Sequence, residues 1–94
     1  MAGEVRDNPA MRRYELTTDG KTAFVQYELS NDAVALLHTE VPPELSGQGV
    51  GSALAKGALD AVRKKGLRLE PRCEFIARYV ERHPAYQDLL ARSD

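Results

Sequence analysis

The residues from Val41 to Ser52, V-P-P-E-L-S-G-Q-G-V-G-S, have types and a spacing that can bind an anion through the main chain. Gly47, Gly49 and Gly51 lie between an apolar run and an alanine-rich helical pattern that begins near Val50. Glycines let the backbone approach a bulky group closely and present its N–H groups outward. The first amides of a helix lack intrahelical acceptors and carry partial positive charge, so this pattern predicts a phosphate-binding helix start.

Two common nucleotide-binding loops do not explain the pattern. A Walker loop is excluded because no Gly-Lys-Ser/Thr follows at the required spacing. A dinucleotide fingerprint fits in part, since Gly47-x-Gly49 is present and Glu70 ends the next predicted strand, where a ribose-binding acid belongs. Ser52, however, occupies the position of the third glycine. The chain also offers one crossover only, which cannot build a doubly wound sheet.

The elements around this loop are predicted from periodicity and turn signals. Asp19-Gly20 predicts a type I′ hairpin, and the strand-helix-strand order around the loop implies a right-handed crossover with parallel strands. The first strand is predicted to be a sheet edge, and Phe75, Ile76, Tyr79 and Val80 are predicted to face inward. The predicted fold class is therefore α/β (α+β), an antiparallel meander followed by a β-α-β crossover and short C-terminal helices. The predicted strands cover residues 12–17, 22–29, 33–41 and 67–70, the helices cover 50–65 and 74–82, and a last turn starts at Pro84.

Length and composition limit the function. Ninety-four residues make one domain, predicted over residues 11–94 after a disordered arm over residues 1–10. A net charge of −1 argues against broad nucleic-acid binding. The single cysteine, Cys73, excludes an intramolecular disulfide, and no apolar run or signal peptide indicates a membrane or secretion. A cytoplasmic protein, monomeric or weakly dimeric through its edge strand, is expected.

The motif S-G-Q-G-V-G resembles the pyrophosphate loop of the GCN5-related N-acetyltransferases, Gln/Arg-x-x-Gly-x-Gly/Ala between a central strand and its helix. Gly49 and Gly51 match the fixed small positions, whereas Ser46 replaces the usual Gln or Arg. The stretches H-T-E-V-P-P-E-L and P-R-C-E-F-I-A-R-Y-V-E-R-H-P-A-Y extend the similarity over residues 33–90. They resemble a very short acetyltransferase-like subfamily with a cysteine near the thioester, in which Glu74 here replaces a frequent proline.

This resemblance implies that the protein binds acetyl-CoA, with the pantetheine arm between the predicted strands 33–41 and 67–70. No metal is expected, because His38-x-Glu40 offers only two ligands. The cofactor-binding residues implied are Thr39, Val41, Gly47, Gln48, Gly49, Val50, Gly51 and Ser52.

The resemblance also indicates candidate catalytic residues. His38 and Glu40 are expected on one face of their strand, where the family often places its general base; they could equally be sheet-surface residues, or His38 a core histidine. Tyr79 occupies the position from which the family protonates the coenzyme thiolate, and its alternative role is an aromatic anchor. Tyr86 is a weaker candidate.

Cys73 precedes a predicted helix start, where the partial positive charge favours a thiolate. It is either an acetyl-accepting nucleophile or a polar neighbour that shapes the thioester pocket. A basic cluster could meet the 3′-phosphate of coenzyme A, or could be the solvated face and end of a helix. Its members are Lys56, Arg63, Lys64, Lys65 and Arg68.

Two functions remain open at this point. The first is an N-acetyltransferase that works by direct attack in a ternary complex. Its amine acceptor is unknown, a small molecule or a protein. The resemblance implies helices at the place where this chain has the tight Asp19-Gly20 turn, so the acceptor side is expected to be open, which suggests a large or exposed amine such as a protein or peptide, or a partner that completes the site. The second is a non-catalytic acyl-CoA-binding or interaction module in which Cys73 becomes acetylated.

Overall fold

The computed structural model describes residues 4–91, which form five strands, two α-helices and two 3₁₀ helices. The strands are β1 (Val5–Asn8), β2 (Arg13–Thr18), β3 (Lys21–Leu29), β4 (Ala33–Glu40) and β5 (Arg68–Pro71). The α-helices are α1 (Val50–Lys65) and α2 (Glu74–Arg82), and the 3₁₀ helices are Pro43–Leu45 and Pro84–Ala91.

The strands form one sheet in the order β1-β2-β3-β4-β5. The pairs β1–β2, β2–β3 and β3–β4 are antiparallel, and β5 is parallel to β4 with Val34 opposite Leu69. Asp19 and Gly20 have φ angles of 52° and 74°, the two positive values that a type I′ turn requires. The predicted meander, crossover and fold class are confirmed.

The predicted disordered arm is wrong for residues 5–8. These residues form β1, which pairs with β2 from Val5 opposite Leu16 to Asn8 opposite Arg13. Asp7 attaches the strand to the domain, since it accepts hydrogen bonds from the Tyr27 hydroxyl at 2.6 Å and from Lys65 Nζ at 3.0 Å. β2, predicted as a sheet edge, is therefore an inner strand. The polar sequence V-R-D-N lacks the alternation that indicates a strand. Residues 1–3 of the predicted arm lie outside the described part.

One face of the sheet carries the hydrophobic core. α1, α2 and the C-terminal 3₁₀ helix cover this face, and Leu54, Ile76 and Leu89 from them are fully buried against it. The opposite face, hereafter the open face, is covered by no element of the described chain. The strand residues that point into the core are Tyr14, Leu16, Ala23, Val25, Tyr27, Val34, Leu36 and Leu69.

A β-bulge in β4 changes which residues reach each face. Tyr27 lies opposite Leu36 and Gln26 opposite His38, so Leu37 is an extra residue without a counterpart on β3. Before the bulge, the even-numbered residues of β4 point into the core. After it, the odd-numbered Thr39 does so, and His38 points to the open face.

Gly57 of α1 allows β1 to approach the helix, because a Cβ at this position would overlap the Val5 side chain. In an ordinary exposed helix, Gly→Ala stabilises by about 1 kcal/mol. Here we expect Gly57→Ala to lower the free energy of unfolding by about 1–2 kcal/mol, because overpacking outweighs helix propensity. Urea unfolding of both single variants and of Val5→Ala/Gly57→Ala measures the coupling. Stabilisation by Gly57→Ala in the presence of Val5 would contradict the position of β1.

Tyr14 is completely buried, and its hydroxyl has no hydrogen-bond partner among the described residues. Burial, and secondarily the charge of Asp7, raises the pKa of Tyr14 to about 12. Because an unsatisfied buried hydroxyl costs about 1–3 kcal/mol, we expect Tyr14→Phe to be as stable as the wild type at pH 7 or more stable.

The same variant should respond differently to alkali. Above pH 10 the unfolded chain releases the phenol proton of Tyr14 while the folded protein retains it, so this group lowers wild-type stability by about 1.4 kcal/mol per pH unit. Tyr14→Phe should therefore lose stability less steeply between pH 10 and pH 12. Urea midpoints at pH 7, 9.5 and 11 measure both effects. An unchanged alkaline slope would show that Tyr14 titrates normally.

Candidate functional site

A gap opens in the sheet where β4 and β5 separate. Their pairing ends at Leu36 opposite Pro71, and the Cys73 N–H donates to the Leu36 carbonyl at 2.9 Å as the chain turns into α2. β4 continues to Glu40 beside β3 alone. By the alternation of an antiparallel ladder, the N–H and C=O of Thr39 point away from β3 and into this gap.

Thr39 and Cys73 meet on the helix-covered side of the gap. The Thr39 hydroxyl lies 3.2 Å from Cys73 Sγ, and either group can be the donor. Cys73 is partly buried against the core and is the N-cap residue of α2, without a side-chain cap of its own. The structure thus brings together two residues that the sequence predicted for different roles, one for the cofactor and one for chemistry.

The glycine loop presents an open, uncapped helix start. Gly47 and Gly49 have φ angles of 81° and 75°, and a Cβ at either position would meet no atom within 4 Å. Gly49 is the N-cap of α1 and makes no side-chain capping bond. The first intrahelical bond runs from the Ala53 N–H to the Gly49 carbonyl at 3.0 Å. The amides of residues 50–52 therefore precede the hydrogen-bonded part of the helix and are available to an anion.

Contacts with the rest of the protein hold the glycine loop in place. Leu45 is buried, and Gln48 Nε2 donates to the Glu44 carbonyl at 3.1 Å. A Cβ at Gly51 would lie 3.1 Å from Phe75 Cζ and 3.8 Å from Val41 Cγ2, so this glycine marks where α1, α2 and the end of β4 converge.

His38 and Glu40 lie on the open face, on the other side of the sheet from the loop. His38 Nε2 is 3.7 Å from Glu40 Oε2, and their side chains are 58% and 61% exposed. The Phe24 ring packs edge-on against His38 with the ring centroids 6.4 Å apart. His38 is therefore not a core histidine. Both residues belong to the part of β4 that extends past the last pair with β5, and both side chains are exposed to solvent.

Tyr79 lies on α2 and is partly buried against the core. Its ring stacks on His83, with centroids 3.8 Å apart and planes inclined by 14°. Tyr86, the weaker acid candidate, donates its hydroxyl to Asp60 Oδ1 at 2.7 Å, and burial followed by this bond raises the pKa of Tyr86. The Tyr86 hydroxyl is thus committed to a link between helices. Phe75, predicted to face inward with Tyr79, is 41% exposed instead.

A cleft of about 250 Å³ lies between the start of α1 and the side of α2, and we call it the α1–α2 cleft. Three of its residues, Arg78, Arg82 and His83, carry or can carry positive charge, and none of them was predicted from the sequence as a site residue. The i, i+4 spacing of Arg78 and Arg82 on one side of α2 is the signal that could have indicated them. The lining residues are Ser52, Phe75, Arg78, Tyr79, Arg82 and His83.

The basic cluster considered for the 3′-phosphate has other partners. Lys56 pairs with Asp60, Arg63 with Asp88 and Lys65 with Asp7. Arg63 and the lysines that follow it occupy the last turn of α1, roughly 20 Å along the helix from its glycine start. This position favours a solvated helix end over a phosphate site.

The family model for GCN5-related N-acetyltransferases matches residues 13–89, which include the gap, the glycine loop and α2. The chain belongs to this family. The solution structure of a GCN5-like protein from Staphylococcus aureus, determined by NMR, is similar at 28% sequence identity and a TM-score of 0.70. The match covers 92% of this chain and 85% of that chain.

Membership gives the loop and the gap a chemical context. The family generally uses acetyl-CoA, and free amides at a helix start, such as those of α1, are of the kind that bind phosphate groups. Within the part of the chain that the structure describes, no cluster of metal-ligating side chains and no helix able to span a membrane is found.

Proposed function

We propose that this protein is an N-acetyltransferase that moves the acetyl group of acetyl-CoA to an amine. The observation that carries the proposal is the uncapped, open start of α1 beside the gap in the sheet. In the proposed complex, the first donates hydrogen bonds to the diphosphate, and the second receives the pantetheine arm. Family membership supports the same cofactor.

In the proposed complex, the diphosphate accepts hydrogen bonds from the loop formed by Gly47, Gln48, Gly49, Val50, Gly51 and Ser52. The arm lies along the end of β4, where the main chain of Thr39 and Val41 meets it. Polarisation of the thioester carbonyl by such main-chain donors stabilises the oxyanion that forms when an amine attacks. The acetyl group then sits inside the gap, close to Thr39 and Cys73.

The acceptor reaches the gap from the open face. Glu40 or His38, which border the gap on that face, takes a proton from the ammonium or from the attacking amine. The amine nitrogen forms a bond to the carbonyl carbon, the carbon–sulfur bond breaks, and Tyr79 gives its proton to the departing thiolate. Because the open face has no covering helix among the described residues, it admits a large amine, and a protein or peptide is the acceptor class we favour.

Cys73 has a specific alternative role that its surroundings support. Its thiol lies beside Thr39 in the gap where the acetyl group is placed, so a thiolate there can attack the thioester and release free coenzyme A. Without onward transfer to an amine, the protein would be an acyl-CoA-binding module with an acetylated cysteine. This is the second candidate function.

Binding of the cofactor should stabilise the protein measurably. At 100 times its dissociation constant, acetyl-CoA adds about 2.7 kcal/mol to the free energy of unfolding, which corresponds to a rise of roughly 10 °C in Tm for a domain of this size.

Gly51→Pro removes one loop amide in the first helical turn, where proline is tolerated, and Gly51→Ala adds a comparable Cβ while retaining that amide. We expect Gly51→Pro to bind about 10-fold more weakly than Gly51→Ala in calorimetry.

The melting midpoint of both variants without ligand is the control for folding. Equal affinities of the two variants would show that the amide of residue 51 does not meet the ligand. No binding of acetyl-CoA to the wild type would refute the proposed function.

The chemical roles are separated by thiol release and mass spectrometry in one assay. The wild type is incubated with acetyl-CoA and a panel of amines and lysine-containing peptides, beside Tyr79→Phe and Cys73→Ala. We expect continuous release of thiol by the wild type and a loss of about 10²-fold or more in Tyr79→Phe if its hydroxyl is the acid. Cys73→Ala should retain turnover if the amine attacks directly. Stoichiometric acetylation of Cys73 with no turnover on any amine would favour the second function.

A further inference from the structure

The α1–α2 cleft has a positive surface that the diphosphate site does not use. Arg78 pairs with Glu74 of its own helix at 3.3 Å, whereas Arg82 forms no ion pair with any described residue. Ser52 of the cleft is the last residue of the glycine loop, so the cleft begins where the diphosphate site ends. A second anionic group on the same ligand would therefore meet these arginines.

His83 lines the cleft, and a hydrogen bond fixes which of its two ring nitrogens carries the hydrogen in the neutral form. Its Nδ1 is 2.7 Å from the Tyr79 carbonyl oxygen. A carbonyl oxygen can only accept, so Nδ1 carries a hydrogen and donates it. The stacked Tyr79 ring fixes the plane of the imidazole. Nε2 is thus the remaining polar atom of the ring, and in the neutral form it has a lone pair and no hydrogen.

From this geometry we infer that the α1–α2 cleft binds the phosphate monoester of coenzyme A, and that His83 takes up a proton at Nε2 when it does so. The inference rests on the proposed function. Arg82 and Arg78 can donate to phosphate oxygens at any pH near neutrality. His83 can donate only as a cation, because the hydrogen on Nδ1 is already used by the Tyr79 carbonyl. A neutral His83 must therefore gain a proton from the solvent before Nε2 can donate to the phosphate.

The charges around the ring explain why the proton arrives with the ligand. On α2, Arg78 and Arg82 oppose a further positive charge, while Glu74 is occupied by Arg78. Tyr86 of the C-terminal 3₁₀ helix lies 6.2 Å from Tyr79, measured between ring centroids. On α1, Lys56 and Asp60 pair with each other, and Asp60 also accepts from Tyr86. None of these groups places a negative charge next to the His83 ring. A bound phosphate dianion would provide one.

Dephospho-coenzyme A, which lacks only the phosphate monoester, is the matched ligand. We measure the affinity of both ligands by calorimetry at pH 7.5, where the monoester is mostly a dianion, in two buffers of different ionisation enthalpy. The wild type should prefer coenzyme A by about 10- to 100-fold and should take up a fraction of a proton with this ligand alone. His83→Gln should abolish the proton uptake, and Arg82→Gln should lower the preference by about 10-fold.

Arg72→Gln, which changes an exposed arginine paired with Glu70 outside the cleft, is the control for a general loss of charge. Absence of binding by both ligands would refute the proposed function itself. Equal affinity for the two ligands would overturn the inference while leaving that function intact. Preference for coenzyme A without proton uptake, or with uptake that persists in His83→Gln, would overturn the role of His83. Unliganded melting curves verify that each variant folds.

Discussion

The extra residue in β4 is the constraint on which the rest of the site depends. Side chains alternate strictly between the two faces of a strand, and one inserted residue reverses the assignment of everything that follows. Without the bulge at Leu37, His38 would point into the core and Thr39 to the open face. With it, Thr39 reaches Cys73, and the main chain of Thr39 turns toward the gap. Because of this one bulge, the end of β4 presents His38 to the open face and Thr39 to the helix-covered face.

The gap itself follows from a short β5. This strand ends at Pro71, the Arg72 N–H turns back to the Glu70 carbonyl instead of reaching β4, and the chain leaves the sheet to begin α2 at Glu74. Since β4 extends four residues beyond the last pair, its end lies beside β3 alone. α1 begins close to the same place, since a Cβ at Gly51 would lie 3.8 Å from Val41 Cγ2, just beyond the end of β4. The free amides at the start of α1 therefore lie near the end of β4 that β5 leaves unpaired.

Local signals in the sequence were sufficient for much of the fold. The bounds of α1 and α2, the Asp19-Gly20 turn and the parallel β5 were predicted from periodicity, glycine positions and the rule of right-handed crossovers. The glycine loop was also predicted as an open helix start, which the structure confirms. Each of these features is determined mainly by residues close to it in the sequence, so local patterns are enough to predict it.

The features that were missed depend on partners distant in the chain. β1 forms because it pairs with β2 and because Lys65 binds its Asp7. The composition of residues 5–8 does not by itself indicate a strand. The bulge at Leu37 arises from register with β3, which no pattern within β4 reveals. Phe75 is exposed because α2 is turned so that Ile76 and Val80 fill the core. The basic side of the α1–α2 cleft was overlooked because two helices must pack before it exists.

Pro71 has one more consequence, which concerns how this small sheet behaves in a crowded solution. The Arg68 N–H donates to the Asp32 carbonyl, so alternation directs the Leu69 N–H outward, and the next outward position is a proline without a donor. A foreign strand docking along this border would find a single main-chain donor in four residues. This border of the sheet is thereby a poor template for the strand-by-strand addition that leads to fibrils.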